Sequence, residues 1–201
     1  MSDLSYSCDC GTVQGTLRDV RPATVQHVVC HCDDCRTFIR HIGRADDVLN
    51  EHGGIAMVQS TPARLTITLG QDKVGLIRLS PKGLLRFYAT CCNTPLANMV
   101  DKPGLPFVGV PRRTLPTGAE ADAAVGPSTG IQGRFAIGDK STLDAHEKAP
   151  ASVLMRTVFR LGLRKLQGEA RPSPFHRAGG GFIVEPTVLT KEQRAEARRD
   201  P

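Results

Sequence analysis

The sequence predicts a mainly β protein built of small antiparallel sheets, with helical additions in its C-terminal half. Three observations predict it. β-rich or alternating runs recur between turns through the first 110 residues, Gly and Pro are frequent at 20 and 14 of 201 residues, and apolar residues at helical spacing come only late in the chain.

The β-rich runs lie at residues 25–30, 64–69, 74–79, 84–88 and 107–110. Pro81-Lys82-Gly83 stands between the third and the fourth, and Pro followed by Gly suits a tight reversal, so these two runs are expected to form a hairpin. Residues 111–127 are rich in Pro, Gly, Ala and Thr without period and read as a linker or long loop. Residues 151–166 carry Leu154, Val158, Leu161 and Leu166 near helical spacing, and Gly168 is placed to end the helix. Arg156, Arg160 and Arg164 recur every fourth residue there, which reads as the solvated face of a packed helix, with membrane-surface or polyanion binding the less common use of such a stripe. Beyond a loop at 172–181 come the apolar Phe182-Ile183-Val184 and a short charged helix over 191–199. The chain divides on this reading into a β domain, 1–110, and a loop-rich, helical extension, 111–201, packed on it.

Composition excludes several functions. Aromatic residues make up 4% and Trp is absent, which argues against an extended stacking surface for single-stranded nucleic acid. The apolar runs fall short of the ~20 residues that span a bilayer, and the first ten residues lack a basic-then-apolar leader, so a soluble, cytoplasmic protein without a membrane partner is expected. The net charge of +6 sits in the second half, with 15 Lys and Arg against 10 acids beyond residue 110 and 11 against 10 before it. All seven cysteines lie in the near-neutral half, outside any basic nucleic-acid footprint. Nothing in the sequence fixes an oligomeric state.

Seven cysteines without an export signal point to a reducing compartment and to metal ligation or catalysis in preference to disulfides. They fall into three groups: Cys8-Asp9-Cys10-Gly11, then Cys30-His31-Cys32-Asp33-Asp34-Cys35, then Cys91-Cys92. Close pairs let one turn offer two sulfurs to one ion, and thiolate sets select zinc over magnesium or calcium. Up to two zinc ions per chain are expected. A set of Cys30, Cys32 and Cys35 leaves one tetrahedral position open, unless His27, His31 or His41 closes it. Asp33 and Asp34 read as turn formers, and His31 as a spacer.

These motifs resemble the glutathione-dependent formaldehyde-activating enzymes, the Gfa or centromere-protein-V domain family. That family's pattern is an early C-x-C-G, a middle C-H-C-x-x-C-R and a late C-x-x-C-G-T-P. The first two stand intact at Cys8-Asp9-Cys10-Gly11 and at Cys30-His31-Cys32-Asp33-Asp34-Cys35-Arg36. The third is altered: aligned on Thr94-Pro95, Cys92 takes the second cysteine's place, Ala89 the first, and Asn93 replaces Gly, with Cys91 an additional thiol. The resemblance covers roughly residues 5–110. It implies a zinc-ribbon-like β-tent fold, a structural zinc on Cys8, Cys10 and Cys92, and an open zinc on Cys30, Cys32 and Cys35.

For the fourth structural ligand, Cys91 is the choice, against water, another residue or a site that has given up the metal. Neighbours on an extended strand point to opposite faces, so Cys91 and Cys92 can share an ion only if the backbone kinks, which Asn93 tolerates. The resemblance further implies a carbon–sulfur lyase whose substrate is S-hydroxymethylglutathione or another small thiol adduct, with Cys30, Cys32 and Cys35 as the catalytic set. Arg36 and Arg40, which follow Cys35, are the candidate contacts for the anionic substrate. The rival reading is a noncatalytic zinc-binding interaction module.

Overall fold

The computed structural model describes residues 2–102, 104–177 and 179–199. Among them are two sheets, of three and eight strands, and five α-helices, a mixed α/β architecture in place of small antiparallel sheets alone. The small sheet has the order β1 (Ser2–Ser7), β2 (Gln14–Val20), β5 (Leu65–Leu69) and is antiparallel.

Six strands of the large sheet come from the first half: β3 (Gln26–Cys30), β4 (Ile55–Ser60), β6 (Val74–Arg78), β7 (Leu85–Ala89), β8 (Pro95–Met99) and β9 (Val108–Pro111). The second half adds a strand at each edge, β10 (Thr129–Ile131) parallel to β3 and β11 (Thr187–Val188) parallel to β6. The order is β10-β3-β4-β9-β8-β7-β6-β11. The expected hairpin is β6–β7, with Gly83 N–H donating to Ser80 O at 2.9 Å in its turn.

The large sheet buries both faces. Its strands therefore read as continuous apolar runs, while the period of two decides which side chain joins which cluster. On β7, Leu85, Phe87 and Ala89 enter the cluster shared with the small sheet, which includes Tyr6, Leu17 and Leu65. Tyr6 Oη bridges the two sheets by donating to Leu96 O at 2.9 Å. Arg86 and Tyr88 therefore point to the opposite face. That face carries helix α1 (Asp33–His41), whose Cys35, Phe38 and Ile39 pack with Val28, Ile55, Met57 and Ile77. The small sheet and α1 thus sandwich the large sheet.

Three segments depart from expectation. Asp33 and Asp34 open α1 as its acidic first turn, where they complement the positive end of the helix dipole, and do not form a turn. The supposed linker at 111–127 holds a short helix, α3 (Ala119–Val125), whose Ala121, Ala124 and Val125 join the core; α2 (Ala45–Val48) is shorter still. Small apolar residues without a long period concealed α3. The helix α4 (Ala151–Leu166) has the predicted bounds, and Gly168 ends it with φ 73°. Its orientation is reversed, however: Val153, Thr157, Arg160, Leu161 and Arg164 are half-buried, while most of its large apolar side chains face outward. The terminal helix α5 (Lys191–Arg198) has a capping box on Thr190 and Gln193 and lies against α1 through Arg194 and Arg198, which pair with Asp33 and Asp34.

Candidate metal centres

Two turns far apart in sequence build the first centre. The turn after β1 is held by Cys8 N–H to Val13 O at 3.0 Å and Gly11 N–H to Cys8 O at 3.0 Å, and Val13 N–H points at Cys8 Sγ at 3.2 Å. In the turn from β7 to β8, Ala89 O accepts from Asn93 N–H at 2.8 Å and from Cys92 N–H at 3.4 Å. Asn93 takes the left-handed conformation, φ 55°, which supplies the kink that neighbouring cysteines need. The result gathers the sulfurs of Cys8, Cys10, Cys91 and Cys92 within 4.8 Å of one another. The separations are 3.3 Å for Cys10–Cys91, 3.5 Å for Cys8–Cys10, 3.8 Å for Cys91–Cys92 and 4.0 Å for Cys8–Cys91. A tetrahedron with ~2.3 Å metal–sulfur bonds has edges of about 3.8 Å, so the set fits one ion with small adjustments. Ala89, where the related motif has a cysteine, is buried in the core beside Phe87.

Residues that sequence reasoning overlooked fasten these turns. Arg44 donates to Cys92 O at 2.7 Å and pairs with Asp9 and Asp47, and Arg113 pairs with Asp9 at 2.7 Å and Asp47 at 3.2 Å. Burial would raise the Asp9 carboxyl, but the two guanidiniums outweigh it and hold it below the usual range. Thr12, through its hydroxyl and backbone, draws the exposed Cys10 thiol down to about 6.

The second centre is local. Cys30 ends β3, Cys32 lies two residues on at the N-cap of α1, and Cys35 N–H donates to Cys32 O at 3.1 Å in the first helical turn. The i, i+2 spacing of an extended segment and the i, i+3 spacing of a helical turn each keep two side chains on one side, so the three sulfurs meet within 4.8 Å. Cys35 is buried, whereas Cys30 and Cys32 are half-buried. Among the described residues no histidine joins the cluster. His31 turns away, with Nδ1 3.3 Å from Ile131 O and its ring against Gly54, where a Cβ would lie 2.5 Å from Nε2. His27 Nδ1 meets Gly126 O at 3.0 Å.

The decisive neighbour is Arg86. It is 1% exposed, its Nη1 donates to Cys35 Sγ at 3.7 Å, and its guanidinium lies 5.4 Å from the Phe38 ring centroid. Hydrogen bonds from Cys30 and Cys32, together with Arg86, hold Cys35 well below the ordinary thiol range. Contact with Cys30 pulls Cys32 down, but contact with Cys35 and burial prevail and push it up to about 12. The signal was available in sequence: a lone arginine inside the apolar run 84–88.

Arg36 is buried, donating to Phe135 O at 2.8 Å and pairing with Asp33 at 3.2 Å. Arg40 is half-buried and donates to Arg199 O at 3.1 Å at the end of α5.

Fold and sites define a mixed α/β protein with two cysteine clusters able to hold metal ions. The chain belongs to a family of unknown function (DUF6151), whose model matches residues 1–185. It is also similar to a crystal structure of a Rhodobacter sphaeroides protein, at 15% identity and a TM-score of 0.42 over 57% of this chain and 90% of that one. No curated protein matches it.

Proposed function

We propose that the protein holds a closed structural zinc on Cys8, Cys10, Cys91 and Cys92 and an open zinc on Cys30, Cys32 and Cys35. At the open site it acts as a carbon–sulfur lyase on a small thiol adduct, for which the sequence resemblance to the formaldehyde-activating enzymes and their β-tent fold suggests S-hydroxymethylglutathione. The observation that carries this reading is Arg86. A guanidinium buried against Cys35 is costly unless an anion compensates it, and three thiolates around a divalent ion carry the single negative charge that does so. The all-sulfur donor set supports zinc over harder ions.

Zinc held by Cys30, Cys32 and Cys35 would supply a fourth position for a soft ligand and would favour the thiolate form of a substrate thiol. The chain's own part is positional. Cys30 and Cys32 bring the cluster toward the surface, and Arg86 fixes Cys35 from the buried side. Of the two candidate arginines, Arg40 is the more exposed. In the synthetic direction the thiol sulfur bonds to the aldehyde carbon, the carbonyl pair moves to oxygen, and the thiol's proton ends there; cleavage reverses each transfer.

Metal analysis of purified protein should find two zinc per chain. Cys32→Ser should lose one zinc and all adduct turnover while the fold persists, because a hydroxyl is a poor zinc ligand at neutral pH and the other centre still ties its turns together. Full turnover in that variant with one zinc bound would refute the catalytic role. Two zinc in the unaltered protein with no turnover of any thiol adduct would favour the noncatalytic module.

A further inference from the structure

Helix α4 is fastened to the protein by its polar side. Arg160 donates to Val25 O at 2.6 Å and to Pro22 O at 2.7 Å, Arg164 pairs with Glu169 at 2.7 Å, and Thr157 Oγ1 reaches Gln26 Oε1 at 3.4 Å. Glu169 is held in turn by Arg64 at 3.0 Å and Thr61 at 2.8 Å. With this face committed inward, the opposite face presents Met155, Phe159 and Leu166 at 66%, 73% and 88% exposure, with Leu154 and Val158 beside them. At ~100° per residue, Arg156 borders that face on one side, while Lys165 stands on its other side between Leu154 and Val158, and both cations are exposed. The helix carries four basic residues and no acidic one.

We propose that α4 lies flat on an anionic lipid surface, inserting Met155, Phe159 and Leu166 among the acyl chains while Arg156 and Lys165 reach the headgroup phosphates. An apolar face bordered by cations that can extend outward is the pattern of an interfacial helix. Charge selects this occupant over a second copy of the chain: two such helices face to face would set cation against cation, with no acid on either to pair them. At 16 residues the helix runs along the surface and does not cross it, and no helix among the described residues is long and apolar enough to cross a membrane.

The test is co-sedimentation of the 201-residue chain with vesicles of phosphatidylcholine alone and of phosphatidylcholine mixed with phosphatidylglycerol. Binding is expected only to the mixed vesicles and should weaken with added salt. Phe159→Glu and Met155→Glu should each reduce it by about tenfold or more, and Arg156→Gln and Lys165→Gln by about fivefold each. All four positions are exposed, so melting temperature and circular dichroism should stay unchanged. Absence of binding to mixed vesicles would overturn the proposal, as would binding indifferent to Phe159→Glu. A dimer in sedimentation velocity that Phe159→Glu splits, without vesicle binding, would assign the face to a second copy instead.

Discussion

The two cysteine centres solve the problem of concentrated negative charge in different ways. The four-cysteine centre sits at the surface, with Cys10 and Cys91 exposed, and water screens it; its nearby cations Arg44 and Arg113 are matched by Asp9 and Asp47. The three-cysteine centre has its deepest ligand, Cys35, buried on the sheet-facing side of α1, and the fold supplies Arg86 there, for which no carboxylate partner is found among the described residues. Connectivity differs as well. The first centre joins turns more than eighty residues apart, whereas the second lies within one strand-to-helix junction. A metal in the first is therefore a cross-link of the fold, and a metal in the second is a group displayed by an already formed element.

The contrast should be sharpest in stability. Replacing both Cys8 and Cys10 by Ser should remove one zinc per chain and lower the melting temperature by on the order of 10 °C or more, because the binding free energy of a cross-linking metal is folding free energy. Replacing Cys30 and Cys32 in the same way should remove the other zinc with a shift of only a few degrees. Equal shifts in scanning calorimetry would erase the distinction between the centres.

Within the first centre, Cys91→Ala should cost about as much stability and zinc affinity as Cys92→Ala, since each removes one bond of a closed tetrahedron. A silent Cys91→Ala beside a severe Cys92→Ala would leave the centre with three protein sulfurs. Arg86→Met probes the second centre. Loss of a charge-assisted contact of roughly 1.5–3 kcal/mol corresponds to about a ten- to hundredfold loss of metal affinity at Cys30, Cys32 and Cys35, with the four-cysteine centre unaffected. Titration with cobalt(II), read by its thiolate charge-transfer bands, separates the two; unchanged affinity would remove Arg86 from the account. The smallest effect belongs to Asn93. Asn93→Val should destabilise by about 1–2 kcal/mol, because a β-branched residue resists a positive φ, while Asn93→Gly should be close to neutral in chemical denaturation.

Much of this was legible in the residues themselves. The three cysteine groups, the hairpin around Pro81-Lys82-Gly83 and the bounds of α4 follow from spacing, turn chemistry and period, which are local properties. The strands β1, β2, β4 and β8 went unrecognised because polar residues or a leading proline break their apolar pattern, although they are no shorter than the strands that were recognised, and α1 because a cysteine- and aspartate-rich start carries no apolar rhythm. Tertiary structure alone decided three matters. It settled that Cys91 meets Cys8 and Cys10, which the sequence left as one choice among alternatives, since a distance between residues more than eighty apart depends on how sheets pack. It placed Arg86 under Cys35, since strand alternation gives a residue a face but not the identity of what covers that face. It turned the apolar side of α4 outward, because periodicity defines two sides of a helix while hydrogen bonds to Val25, Pro22 and Glu169 determine which side the protein keeps.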